Sequence, residues 1–305
     1  MKKIVTLLLM VIISVLFVGC SASPEFSLMV PAGSPALAQL YVQADDVHYT
    51  VDVINGSDPL IAAFASESHD VIFAPTNLGA KLYNAGSSDY LFAGTIVWGN
   101  YYLVGKGQPS FTLESLAGKT IVVFGQNSTS DLILKYILAE NDLSVTIEYV
   151  DAVATASAAF LADQSLIILS AEPSLSVLFS KVADLQIIDL QAEYSQITGS
   201  DSYPQAGVFV RPDLEKADVT NFLKDLADSI EQVNADPEEA AALATGFNYG
   251  FDEDVLVSAI GNSHLQFVSA ADSQVALEAY FTMILEGNAA QVGGKLPDQT
   301  FYFLP

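Results

Sequence analysis

The chain has 305 residues, 51% of them apolar, which is enough to bury one large core or two smaller ones and too apolar for a disordered chain. Eleven Lys and Arg stand against 36 Asp and Glu, a formal charge of −25, so nucleic acid and anionic membrane surfaces, both held by basic side chains, are poor partners. A single cysteine excludes a disulfide framework and thiolate metal sites.

The first element is a leader. Lys2 and Lys3 precede an apolar run from Ile4 to Val18, too short to span a bilayer comfortably, that ends in "LFVGC". Gly19 before Cys20 resembles the lipobox of bacterial lipoproteins, with Phe17 where that pattern usually has Leu. The resemblance implies removal of residues 1–19, a diacylglycerol on the sulfur of Cys20, and a lipid-anchored chain on the extracytoplasmic face of the cell membrane, since two acyl chains hold a protein stably. The alternative is an ordinary secretory signal with an incidental cysteine.

Beyond it, the apolar runs "FSLMV", "DVIFA", "DYLFAGTIVW", "KTIVVF", "VTIEYV", "SLIIL", "LQIIDL" and "AGVFV" alternate with helical patterns. That alternation predicts an α/β fold with largely parallel strands. From Arg211 the character turns helical: residues 212–235 have apolar positions three and four apart. "DPEEAAALATGF" then offers Asp236 as N-cap with Pro237 in the first turn, and a helix over 273–288 stops near Gly287. A looser unit of strand, polar loop and helix recurs in "SLMV-PAGS-PALAQLYVQ", "VIFA-PTN-LGAKLYNAG", "VVF-GQNSTS-DLILKYIL" and "LIIL-SAEP-SLSVLFSK". Ligands of open α/β sheets bind beyond the carboxyl ends of strands, where these loops lie.

The loops supply the candidate site residues. Ser34 closes the first loop. Thr76 and Asn77 open the second helix, either as caps or as ligand contacts. In the third, Gly125, Asn127, Ser128 and Thr129 lack the second Gly and the Lys of a nucleotide loop, leaving hydrogen-bonding contacts to a solute or a plain helix cap. Glu172 ends an otherwise apolar strand, where a carboxylate is costly unless paired or facing a cleft. "WGNYY" places Trp98 beside Asn100 and Tyr101, suited to stacking on a flat solute or to core packing, and Gln205 in "SYPQAG" marks a second candidate crossover. His48, His69 and His264 stand in unlike contexts, and no HExxH or GxSxG pattern occurs, so a binder without catalytic residues, metal or cofactor is the economical reading.

"LFVGC", "APTNLGAKLYNAG", "WGNYYLVG", "SLAGKTIVVFGQNSTSDLILKYILAEN", "AEPSLS" and "YPQAGVFVRPD", spread over most of the mature chain, resemble the substrate-binding lipoproteins of ABC importers. Within that family the chain looks most like the nitrate, sulfonate, taurine and thiamine-pyrimidine-precursor branch. The resemblance implies a type II periplasmic-binding-protein fold: two Rossmann-like α/β lobes with a central cleft and two crossover segments, near Tyr101–Gly105 and Tyr203–Gly207. It implies residues 20–103 with 205–305 as one lobe and 104–204 as the other. A monomer closing over a small-molecule solute and delivering it to an ABC permease is the implied role. Receptors for anions typically clamp them with arginine, and the sole arginine, Arg211, stands before Pro212 in a candidate linker, so a neutral or cationic solute, a heteroaromatic one among the candidates, is expected. The competing readings are a pyrimidine-precursor synthase of the same fold, whose cysteine-rich motif and essential histidine have no evident counterpart here, and a solute-sensing surface receptor.

Overall fold

The computed structural model describes residues 26–305. The leader and the lipidation candidate Cys20 lie outside the described residues. Among these residues the strands form a six-stranded and a five-stranded sheet. The first, in the order β11-β4-β10-β3-β1-β2, holds β1 (Phe26–Pro31), β2 (Tyr49–Ile54), β3 (Val71–Pro75), β4 (Leu91–Trp98), β10 (Pro204–Val210) and β11 (Leu265–Ser269). The second, β7-β6-β8-β5-β9, holds β5 (Tyr101–Lys106), β6 (Thr120–Phe124), β7 (Thr146–Val150), β8 (Ile168–Ala171) and β9 (Leu185–Asp189).

Helices cover both sheets. They are α1 (Ser34–Ala38), α2 (Leu40–Ala44), α3 (Asp58–Ser66), α4 (Thr76–Asn84), α5 (Thr129–Glu140), α6 (Val153–Ala162), α7 (Ser174–Lys181), α8 (Leu190–Thr198), α9 (Lys216–Ala235), α10 (Pro237–Gly246), α11 (Glu253–Asn262) and α12 (Ala270–Asn288). Local chemistry accounts for them. The spacing in α9 buries Val219, Phe222, Leu226, Ile230 and Val233 on one face, and Phe222 stacks on Phe26 of β1 at 5.7 Å. Asp236 caps α10 as expected, accepting from the Glu239 N–H at 3.0 Å with Pro237 in the first turn. Phe209 of β10 packs on Phe64 and Phe92 at 5.4 and 5.6 Å, and a Cβ on Gly79 would stand 2.1 Å from its ring, so α4 lies directly on it. Burying a ring of that size contributes about 2–3 kcal/mol.

The expectation of largely parallel strands holds for β1, β2 and β3 and for β6, β7 and β8, but β5 and β10 run antiparallel to their neighbours, as does β11 to β4. The reason is topological. The carboxyl ends of the parallel strands face the other lobe, so a strand entered from that side must run away from it. β4 ends at Trp98 and β5 begins at Tyr101, so the first passage between sheets is Gly99–Asn100, and residues 101–105 are already strand in the second sheet. The return runs from Gly199 to Tyr203, and the two passages are bonded through the Gly99 N–H and the Tyr203 carbonyl at 3.0 Å. Gly99 has φ +81, and a Cβ there would meet Gln191 Oε1 at 1.6 Å.

Candidate functional site

A cavity of about 730 Å3 lies between the sheets, within the size range of small-molecule sites. The first lobe contributes loop 32–34 after β1, loop 55–57 after β2, Gln205, and the aromatic segment Phe247, Tyr249 and Phe251. The second contributes Phe124 at the end of β6, loop 151–154 after β7, and Glu172–Ser174 after β8. Apart from Gln205 and the aromatic segment, these are the carboxyl ends of parallel strands, where backbone groups leaving a strand and entering a helix are free to meet a guest.

Three polar residues at its floor hold the lobes in register. Asn100 is buried with φ +95; its Nδ2 donates to Ser34 Oγ at 2.6 Å, its Oδ1 accepts from the Glu172 N–H at 2.7 Å, and its own N–H donates to Gln191 Oε1 at 2.9 Å. Ser34 Oγ donates on to Ser263 Oγ at 3.0 Å. The Glu172 carboxylate accepts from the Ser176 N–H at 3.0 Å and from Asn262 Nδ2 at 3.2 Å, and burial pushes its pKa above the usual 4.5 against those hydrogen bonds. Tyr101 is buried beside Phe124, ring centroids 6.1 Å apart, and desolvation raises its hydroxyl pKa, so it meets the cavity uncharged.

Of the candidate residues, Ser34, Asn100, Tyr101, Glu172 and Gln205 line this cavity together. The others are placed elsewhere. Thr76 donates to the Pro204 carbonyl at 2.6 Å, and Asn77 Oδ1 accepts from Thr129 Oγ1 at 3.0 Å, a buried pair that ties α4 to α5 across the lobes. Ser128 Oγ turns back on the Gly125 carbonyl at 2.6 Å, while Asn127 is exposed with φ +64 and donates its N–H to Asp131 Oδ2 at 2.8 Å. Loop 125–130 therefore spends the Asn127 N–H and the Ser128 hydroxyl on its own turn and on α5, while Thr129 reaches Asn77 in the other lobe, and Ser128, at the N-cap position, makes no side-chain cap. Trp98 lines a separate cavity of about 640 Å3 with Asp189, Gln191 and His264, its indole N–H donating to the Gln266 carbonyl at 3.1 Å. It ends β4 with its side chain turned from the first cavity, and the aromatic role passes to Tyr101, Phe124, Phe247, Tyr249 and Phe251. Sequence reasoning missed the segment "FNYGF" and loop 151–154; the signal was available in the former, where three aromatics interrupt two helices beside Gly250.

Among the described residues no Lys, Arg or His lines the first cavity, whose acidic side chains are Asp151 and Glu172. Arg211 is engaged at the surface, its Nε 2.6 Å from Asp213 and its Nη2 3.4 Å from Asp70. His48 pairs with Asp45 at 2.7 Å and His69 with Asp52 at 3.1 Å. Among the described residues no group of three His, Cys, Asp or Glu side chains could hold a metal ion, and no helix is long and apolar enough to cross a membrane.

Two α/β lobes, two passages and a cavity between them define a type II periplasmic-binding-protein fold, and solved structures agree. The chain is similar to an ABC transporter from Parabacteroides distasonis, with 23% identity, 92% of this chain and 99% of that one covered, and a TM-score of 0.80. It is similar also to the alkanesulfonate-binding protein SsuA from Xanthomonas axonopodis pv. citri bound to MOPS (18% identity, 91% and 96% covered, TM-score 0.63). A third is the Candida albicans CA3427 gene product, described as having the generic periplasmic binding protein structural fold (12%, 91% and 93%, TM-score 0.60). A profile of the family described as "Menaquinone biosynthesis" matches residues 102–283, more than half of the chain, and the chain belongs to that family. No curated protein matches it.

Proposed function

We propose that the protein is an extracytoplasmic solute-binding lipoprotein that captures a small neutral or cationic solute, a heteroaromatic one among the candidates, between its lobes and delivers it to an ABC importer. The observation that carries this reading is the inter-lobe cavity, walled by aromatic rings and two acidic side chains, with no basic side chain among the described residues. A guest there would lie against Tyr101 and Phe124, with Glu172 accepting from its N–H groups. The lobes would hinge at Gly99–Asn100 and residues 199–203. The solved relatives named as importer components and sulfonate binders support the role, and the absence of an arginine clamp argues against a sulfonate as the guest. The "LFVGC" ending supports anchoring through Cys20, and the protein is read as a monomeric binding protein of the nitrate, sulfonate, taurine and thiamine-pyrimidine-precursor branch, working beside an ABC permease.

Native mass spectrometry of the purified chain followed by thermal-shift screening tests the proposal. A bound solute raises the melting temperature with the logarithm of its concentration over Kd. Tyr101→Ala is expected to weaken it at least tenfold by calorimetry, on the order of the ~1.5 kcal/mol an aromatic contact contributes, while Asn127→Ala leaves affinity unchanged. The reverse pattern would place the guest elsewhere. The family description favours a second reading, an enzyme of menaquinone biosynthesis; conversion of a bound compound to product, rather than its release unchanged, would select it.

A further inference from the structure

The second cavity shares no lining residue with the first, yet the two are joined by hydrogen bonds through the seam. Gln191, at the start of α8, is fixed in orientation by its Oε1, which accepts from the Asn100 N–H at 2.9 Å and from Ser202 Oγ at 3.4 Å. Its Nε2 therefore faces His264 Nε2 at 3.0 Å, and since the amide nitrogen can only donate, His264 Nε2 must carry no proton. The Tyr102 hydroxyl meets the same imidazole nitrogen at 3.3 Å. His264 follows Ser263, which accepts from Ser34, and Ser34 accepts from Asn100. The bonds close a loop: Asn100 to Gln191, Gln191 to His264, along the chain to Ser263, then Ser34 and back to Asn100. Gln191 belongs to the second lobe, Ser34 and His264 to the first.

We propose that His264 is a proton-operated latch: neutral, it accepts from Gln191 and holds the lobes in register; protonated, it opens this loop and loosens the cleft around its guest. The inference rests on the solute-binding reading only in its last clause. An imidazolium presents N–H on both nitrogens, so its Nε2–H would confront the Gln191 NH2. Turning the amide over relieves that clash but points its NH2 at the Asn100 N–H and away from accepting Ser202, so the conflict moves to the cavity floor. Of the groups on His264 Nε2, only the Tyr102 oxygen could accept the new proton. The carboxylates facing this site are Asp189, whose Oδ1 caps α8 through the Gln191 and Ala192 N–H groups, and Asp201 across the cavity; Glu172 stands beyond Tyr102. Burial of the imidazole favours its neutral form and Asp189 opposes it, the balance lying below the ordinary 6.5. An exposed edge of His264 gives protons access.

The only tryptophan, Trp98, lines the same cavity and reports on it. Its emission and the radius of gyration by small-angle scattering are followed from about pH 8 to about pH 5 on the full mature chain, without added solute. One coupled transition is expected in the parent and in a His48→Gln, His69→Gln double variant, and none in His264→Gln, whose amide oxygen still accepts but does not titrate. Gln191→Glu provides a second arm: its carboxylate prefers the imidazolium, so the midpoint should rise by about one pH unit or more. A transition that persists in His264→Gln, an unmoved midpoint in Gln191→Glu, or a flat parent titration would overturn the latch, whatever the solute proves to be. With a solute in hand, acidification through the transition should weaken its binding roughly three- to tenfold in the parent, the loss of one ordinary hydrogen bond, and leave His264→Gln unchanged.

Discussion

Glu172 was legible as a residue out of place, a carboxylate closing the apolar run of β8, and its surroundings explain how the fold tolerates it. Two N–H donors meet the carboxylate, but burial still raises its pKa, so the folded state holds the proton more tightly than the unfolded chain does. The sign of the linkage follows: the group adds stability below 4.5, and that contribution is lost as pH rises through the higher folded value. Glu172→Gln, which cannot ionise, should therefore gain melting temperature relative to the parent as pH is raised from about 4.5 towards neutrality. Calorimetric scans giving a constant offset across that range would contradict it. Trp98 was the opposite case. Its aromatic neighbours suggested a stacking platform, but alternation along β4 and the turn at Gly99 decide which side of the sheet an end residue faces, and no local pattern encodes the position of the second lobe.

At the scale of elements, the strands of both parallel sets could be read from their apolar runs, because a strand covered by helices on both faces needs no polar alternation. What could not be read is the direction of β5 and β10, which depends on where the chain crosses between sheets. Loop 125–130 and α5 show the same division. The strand, polar turn and helix were plain in the sequence, but the polar residues brace the helix. Asp131, fully buried, accepts from the Asn127 N–H, Lys135 Nζ and the Tyr149 hydroxyl, each at 2.8 Å. Asp131→Ala should lower the unfolding free energy by about 2–4 kcal/mol in urea titrations, since it removes a fully buried acceptor and strands three donors, one of them the backbone N–H that closes the turn. Lys135→Met should cost about 1 kcal/mol or less, because that side chain is 46% exposed and two donors remain on the carboxylate. Equal losses in the two variants would show that the ion pair, rather than the turn, is what Asp131 supports.

In the whole molecule, binding geometry comes from segments far apart in the chain: loops 32–34 and 55–57, the ends of β7 and β8, and the aromatic residues near 250 meet only in the folded state. The fold class was legible because the strand, loop and helix unit repeats. The full cavity wall was not, because "FNYGF" lies outside those units. The strand order of the first sheet has a further consequence. β10 sits between β3 and β4, so two strands made early are held apart until a third, more than a hundred residues later, slides between them. The second sheet, by contrast, is drawn from one uninterrupted stretch between residues 101 and 189. Emerging from a ribosome, the chain can finish that sheet while the other still has an open slot. Pulse-labelled amide exchange during refolding should accordingly protect β6 and β8 before β3 and β4, and the half-built sheet, with unsatisfied backbone on either side of the gap, is where a stalled chain would aggregate.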